Sequence, residues 1–379
     1  MDRRQMLQRL GAVTAAAAFA GRASAKVNGV SDTRLYVGQS GPQTGKSAGT
    51  GLELQRGTLA AFQRVNSAGG IYGREIVAIT LDDAYDPPQT INNTRDLLGR
   101  GVFALLNYHG TPTTVAALPL IKEAGISLIA PFTGSGLLRT PTLPQVFNIR
   151  ASYKQEGGPI VSHLVRYGGD TPRVGLFLQD DLYGQSVEES FLDALRAHKL
   201  APVATARIPR GSTDIGPALK LLLQAGVTAV AMGSTSEPSA LLVKELRSAG
   251  STAVTASVSF VGTCTLAKLL TDDCHVEVNQ VMPFPKSGTE RIVREYQAAM
   301  RAAGFNDFTY ESLEAFVGAC TLCEGLRLCG AYPTRPGLML ALEGTHDLGG
   351  FILRFKHGDH AGSTFTELVD VGPNGKLLR

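Results

Sequence analysis

The 379-residue chain has no tryptophan, and only 18 % of its residues are charged. No internal apolar run reaches the roughly 18–20 residues that a membrane-crossing helix needs. No basic tract is present, which argues against nucleic acid as a partner. The formal charge of +3 comes from the first 25 residues, which hold Arg3, Arg4, Arg9, Arg22 and Asp2. The remainder carries 32 basic and 32 acidic residues. Cysteines number only five, an odd count. Cys264 and Cys274 can pair in an oxidising compartment, closing a loop worth roughly 2–3 kcal/mol. Cys320, Cys323 and Cys329 fall on an apolar helical stretch and read as buried thiols. Hydrolase chemistry is not expected: no nucleophile elbow and no His-x-x-Glu-His type site is recognised. Gly41–Ser47 (GPQTGKS) misses the phosphate-loop spacing by one residue.

What is present begins with an export signal. Arg3-Arg4 precede a weakly apolar run, Leu10–Ala20. Ala23-Ser24-Ala25 is an A-x-A cleavage pattern, with cleavage after Ala25. DRRQMLQ resembles a twin-arginine signal. A soluble, periplasmic mature protein is expected, starting at Lys26.

The most informative stretch is Asn107–Gly134, NYHGTPTTVAALPLIKEAGISLIAPFTG. It reads as the end of a strand, a helix interrupted by Pro119, and a second strand. A small, hydroxyl-bearing turn follows each strand. In open parallel sheets, ligands bind outside the carboxyl ends of the strands. Thr111 is placed to cap the helix, with Pro112 at its first position. A helix start of this kind suits an anion such as a carboxylate. Thr111 and Thr133 therefore face one edge together.

The same rhythm runs through the chain. Strands Thr33–Val37 and Glu75–Leu81, helices Leu52–Ser67 and Gln89–Leu98, and the stretch above form one parallel-sheet lobe. The carboxylates of Asp82, Asp83 and Asp86 read as turn formers. After a proline-bearing connection at Leu137–Gln145, strand–helix units resume from Gly158 to Val258, forming a second lobe. Ser287-x-x-Glu290 reads as a capping box, and Leu313–Leu328 as a long apolar helix. Phe351–Phe355 and Phe365–Val371 read as a terminal strand pair. His357, Asp359 and His360 between them, with His346 upstream, suit a polar hairpin tip better than a metal site.

Several stretches then match one family in order and spacing. They are AFQRVNSAGGIYGREI, TLDDAYDPPQTINNTRDLL, YHGTPTTVAALPLI, LIAPFTG, FNIRASY, DLYGQSVEES and SLEAFVGA. The chain resembles, over Thr33–Arg379, the periplasmic receptors of ABC importers, specifically the leucine/isoleucine/valine-binding type I periplasmic binding proteins. The resemblance implies an α/β fold of two Rossmann-like parallel-sheet lobes joined by three chain crossovers. Lobe one would be 26–149 plus 285–345, and lobe two 150–284 plus 346–379. Ligand would lie between the lobes and pass to an ABC permease and its ATPase. No catalytic residue, cofactor or metal is implied, and a monomer is expected.

Carried over by position, Thr111 would hold a ligand carboxylate, with His109 and Gly110 in the same turn. Phe132 and Gly134 fall where the family uses a backbone carbonyl and a threonine, so Thr133 would substitute for Gly134. Tyr183 would close over the ligand from lobe two. Thr235 stands where a second tyrosine is usual, and Phe316 matches an aromatic near the cleft. Ser47 or Ala48 falls near a stacking aromatic. The main departure is Ser259, where amino-acid binders carry an acid for the ligand ammonium. Either Asp180, Asp181, Glu311 or Glu314 replaces it, or the ligand is a carboxylate, an amide or an aromatic or aliphatic acid without an α-ammonium. The alternative role is a ligand-sensing subunit of a signalling system.

Overall fold

The computed structural model describes residues 27–270, 274–372 and 377–378. The expected signal and its cleavage site at Ala25 lie outside the described residues. Two parallel sheets dominate. The first takes strands β1 (Arg34–Gly41), β2 (Glu75–Asp82), β3 (Ala104–Leu106), β4 (Leu128–Ile129) and β5 (Val146–Phe147), in the order β2-β1-β3-β4-β5. Helices α1 (Ala48–Ser67), α2 (Pro87–Gly99) and α3 (Thr111–Glu123) connect them. Helices cover both faces, so β3 is apolar and buried throughout, as a central parallel strand must be. Leu106, Ile129 and Phe147 point to one core, and Leu105, Leu128 and Val146 to the other.

The second sheet repeats the plan. Helix α4 (Tyr153–Tyr167) leads to β6 (Val174–Gln179), α5 (Leu182–Ala197), β7 (Ala204–Ile208), α6 (Gly216–Gln224) and β8 (Ala229–Gly233). Then come α7 (Ser236–Ser248), β9 (Val254–Val258), α8 (Thr263–Leu269) and β10 (Val276–Gln280). Leu176 and Leu178 face one core, while Phe177 faces the other. The chain then returns to the first sheet as α9 (Arg291–Ala302), α10 (Tyr310–Cys329) and α11 (Arg335–Leu342). Hairpin β11 (Gly344–Leu348) and β12 (Phe351–Phe355) follows, then β13 (Glu367–Val371) and β14 (Leu377–Leu378). β13 adds antiparallel to β10, and β14 to β13.

Three connections cross between the sheets: one after β5, one after β10 and one after β12. The first and last are tied side by side. Asn148 N–H donates to the His360 carbonyl at 2.9 Å, and Gly362 N–H to the Asn148 carbonyl at 2.8 Å. The Phe147 ring stacks on His360 with centroids 4.0 Å apart.

Several local expectations change. The terminal strand pair does not form: β12 pairs with β11, while β13 pairs with β10. Hairpin β11–β12 packs its Phe351, Leu353 and Phe355 into the first sheet's core, and a division at 345/346 cuts through β11. Ser287 is not a cap. Its hydroxyl serves Thr289 N–H, and α9 begins after Glu290 without a side-chain cap. β1 extends to Gly41 and α1 begins at Ala48, so the connecting loop is shorter than the glycine-rich composition suggests. No disulfide joins Cys264 to Cys274. Cys274 is buried in the second sheet's core, whereas Cys264 sits on α8 with its N–H on Glu311. No helix among the described residues is long and apolar enough to cross a membrane.

Candidate functional site

Strand-end turns of both sheets meet in one buried cluster that draws residues from each. From the first sheet come three turns, each bent by a residue in the left-handed region. Ala84 and Tyr85 (φ 49° and 61°) follow β2, Asn107 (φ 51°) follows β3 and Ala130 (φ 53°) follows β4. Such conformations cost of order 1–3 kcal/mol each and persist only where the surroundings hold them. Among the described residues, four of the six non-glycine residues with positive φ lie in these turns. Hydrogen bonds fix them. Asp82 accepts from Gln43 N–H at 2.7 Å and from the Thr44 hydroxyl at 2.6 Å. Asp83 accepts from the Ser40 and Thr90 hydroxyls, and Asp86 caps α2. The three carboxylates thus shape a turn that aims Tyr85 into the cluster. The buried Asn107 amide donates to the Thr58 hydroxyl at 2.9 Å and to the Ala315 carbonyl at 3.1 Å.

The rings form a continuous wall. His109 stacks on Phe132 at 5.7 Å and meets Tyr85 edge-on at 5.1 Å. Phe260, from the turn after β9, lies 5.0 Å from His109, 5.6 Å from Phe132, 6.2 Å from Tyr85 and 4.5 Å from Tyr183. Tyr183 stands 5.6 Å from Tyr153. Burial and the nearby Arg150 hold His109 down at about 3, so it is a neutral ring.

Beneath the wall lies a hydroxyl group of three. The Thr111 and Thr133 hydroxyls are 2.7 Å apart, and the Thr133 hydroxyl donates to Tyr153 Oη at 3.3 Å. Thr111 is not the cap expected of it. Gly110, with φ 91°, occupies the cap position and Pro112 comes second in the helix. The Thr111 side chain turns to the facing strand end instead. A side chain at Gly110 would stand 2.3 Å from the Tyr85 ring. At Gly134 the reason for glycine is Tyr153: a Cβ there would lie 2.5 Å from its ring and 2.7 Å from its backbone nitrogen.

Arg150, on the first crossover, is fully buried beside these groups. Its guanidinium lies 4.8 Å from the Phe132 centroid and donates to the Ser259 hydroxyl. Glu156 and Glu314 stand 3.6 and 3.5 Å away. Glu156 also accepts the Ser259 N–H at 2.7 Å. Burial raises both carboxyls, that of Glu314 to about 7, although Arg150 pulls them back. Arg150 Nε, His109 Nδ1 and one oxygen each of Glu156 and Glu314 are buried without a hydrogen-bond partner.

Not every expected residue joins this cluster. Phe316 packs on Tyr296 at 5.6 Å and under Arg64, in the first sheet's core. Thr235 stands just before α7, half-buried, beside Ser234, whose carbonyl accepts from Tyr183 Oη at 3.5 Å. Of the acids considered, Asp180 is exposed, Asp181 caps α5 and Glu311 accepts from Cys264 N–H at 3.3 Å. Glu314 alone of them faces Arg150. Tyr85, Tyr153, Phe260, Arg150 and Glu156 were not singled out by sequence. Their only local signal is a position just past a strand end or at the first crossover.

Two further patterns are resolved. Contrary to the expectation of no such elbow, Gly45-Lys46-Ser47-Ala48-Gly49 spells Gly-x-Ser-x-Gly. No histidine among the described residues bonds the Ser47 hydroxyl, and Lys46 reaches across to Thr213 and Glu237. His357 and His360 converge on Glu343 at 3.1 and 3.3 Å, while His346 bonds the Leu342 carbonyl. No group of three or more metal-ligating side chains among the described residues is placed to hold a metal ion.

Two doubly wound lobes, with their strand ends facing across one buried cluster, define a binding protein of the two-lobed type. Residues 34–376 match the family described as periplasmic binding protein, and the chain belongs to that family. A substrate-binding periplasmic protein from Ralstonia solanacearum is 34 % identical, with a TM-score of 0.83 over 90 % of this chain and 99 % of that one. A possible leucine/isoleucine/valine-binding protein from Rhodopirellula baltica SH 1 is 29 % identical, with a TM-score of 0.85 over 94 % and 98 %. The Leu/Ile/Val-binding protein homolog 2 of Brucella abortus (strain 2308) is 24 % identical over 306 residues, 80 % of this chain and 81 % of that one.

Proposed function

We propose that this solute receptor binds a small carboxylate-bearing ligand between its lobes and delivers it to an ABC permease and its ATPase, without chemical turnover. The observation that carries this reading is the convergence of strand-end turns from both sheets on the Thr111–Thr133 hydroxyl pair and the rings around Phe260. Thr111, at the start of α3, would hold the carboxylate together with the first-turn N–H groups. His109, Gly110, Phe132, Thr133 and Gly134 would form the lobe-one wall, and Tyr183 and Ser259 the opposing one. We place lobe one at about 26–149 with 285–355, and lobe two at about 150–284 with 361–379. Residues 1–25 would direct export to the periplasm and be removed.

Closure supplies the mechanism. Contacts such as Gln179 to Tyr85 Oη at 3.3 Å and Ser135 to Ser186 at 2.8 Å join the lobes. A ligand that touches both lobes only when they are closed shifts the population that way. The test is a thermal-shift screen of Lys26–Arg379 against small carboxylates and amino acids, repeated with Thr111→Val. A bound ligand raises the unfolding temperature. Thr111→Val should weaken binding about tenfold or more, the loss of one hydrogen bond to a charged group, without unfolding the protein. Unchanged binding in that variant would place the site elsewhere.

A further inference from the structure

We infer that Arg150 makes the cleft selective for carboxylates without an amino group, because its guanidinium occupies the cation position between Glu156, Glu314, Ser259 and the Phe132 ring. This rests on the cleft-receptor reading above.

The argument begins with what a ligand ammonium would need. It would need an unshared carboxylate or an aromatic face, inside a site that excludes water. Both kinds of partner are present: Arg150 already uses the two carboxylates and the Phe132 face, and Arg210 lies over the Tyr85 ring at 5.9 Å. Glu156 and Glu314 lie 3.6 and 3.5 Å from its nitrogens, and the Phe132 face lies 4.8 Å from its central carbon. Ser259, where an acid would be expected in an amino-acid binder, instead receives a hydrogen bond from the same guanidinium. An acid at 259 would add a third carboxylate around one arginine. Serine is the residue that fits beside it.

The remaining charges do not restore an ammonium site. Arg139, from the crossover side, donates to the Thr133, Ser135 and Arg150 carbonyls and adds a second positive charge. His109 and Tyr183 are neutral, and Glu314 holds its proton more readily than an ordinary carboxyl. A third buried cation, beside two arginines that already share the Glu156 and Glu314 carboxylates, would find no carboxylate of its own. An anion would be attracted, and Arg150 Nε still has a donor without an acceptor. The surrounding rings of Tyr85, His109, Phe132, Tyr183 and Phe260 suit a flat hydrocarbon body. The ligand class is therefore a monocarboxylate with an aromatic or aliphatic body and no α-amine.

Matched pairs test this directly. 3-Phenylpropanoate is L-phenylalanine without its amine, and 4-methylpentanoate is L-leucine without its amine. Each is titrated calorimetrically into the intact mature protein. At least one deaminated acid should bind, at least tenfold tighter than its amino-acid partner. An amino acid that binds as tightly as its deaminated partner, or no binding by any of the four, overturns the inference. Arg150→Gln should narrow the preference at least tenfold, and Arg150→Lys should preserve it. If Arg150→Gln fails to fold, the wild-type pairs and Arg150→Lys still decide. Thr111→Val separates the two levels. An amino acid that wins but is weakened by Thr111→Val leaves the cleft receptor standing and removes the role of Arg150. A ligand indifferent to Thr111→Val removes the cleft reading itself.

Discussion

Replacing Phe260 by alanine should weaken ligand binding far more than it weakens the fold. The ring is 2 % exposed, and an ordinary core phenylalanine at that burial costs about 3–5 kcal/mol when truncated. Phe260, however, sits where the two sheets meet. Three of its four ring partners, Tyr85, His109 and Phe132, come from the first sheet's turns, and only Tyr183 comes from its own side. In the proposed open form the ring would part from those three and keep the fourth. An aromatic pair contributes about 0.5–1.5 kcal/mol beyond simple burial. The three cross-lobe pairs therefore favour closure by about 1.5–4.5 kcal/mol, and that is subtracted from binding, a loss of at least about tenfold. Calorimetry with 3-phenylpropanoate measures the affinity, and thermal unfolding of the unliganded protein measures the fold. The expected result is at least tenfold weaker binding with an unfolding temperature lowered by only a few degrees. A large drop in unfolding temperature with unchanged affinity would mean that the ring is ordinary core, and the interlobe assignment would fail.

Other substitutions probe the supporting geometry. Gly134→Ala forces a methyl within 2.5 Å of the Tyr153 ring, so it should cost about 1–3 kcal/mol by overpacking, read by denaturant unfolding, and should also weaken ligand binding. Ala130→Gly relieves a left-handed alanine but deletes a buried methyl and frees the unfolded chain, so the effects nearly cancel and stability in the same assay should change by less than about 1 kcal/mol. Glu314 gives a pH signature. Burial raises its carboxyl from the ordinary 4.5 to about 7, so between those values the unfolded chain has lost a proton that the folded chain keeps. Its contribution to stability therefore falls as pH rises from about 4.5 to 7 and is level above that. Glu314→Gln should flatten that part of the stability–pH curve, measured as unfolding temperature from pH 4 to 8.

The strand–helix rhythm and both hydroxyl turns were legible because apolar runs and glycine- or proline-bearing turns alternate along both halves of the chain. Thr111 and Thr133 were legible as residues of facing turns, although not the way Thr111 points. A cap role looked natural beside Pro112, but Gly110 takes the positive φ and frees the threonine to meet Thr133. Phe316 shows a different limit. Helix α10 is buried on nearly every side, so its apolar pattern does not say which face meets the cleft. Glu311, Glu314 and Ala315 approach the interlobe groups, and Phe316 turns into the core. Phe260 and Arg150 come from separate segments that only the crossovers bring together. No spacing in the sequence pairs Arg150 with Ser259, 109 residues away. The serine was readable as a missing acid, but the arginine that accounts for it was not.

The most direct test is a crystal structure of the mature protein grown with 3-phenylpropanoate. The expected density lies between the lobes, with the carboxylate within hydrogen-bond reach of Thr111 and the ring among Tyr85, Phe132, Tyr183 and Phe260. Ligand bound outside the cleft, or lobes closed on an empty cluster while the ligand sits elsewhere, would contradict the assignment.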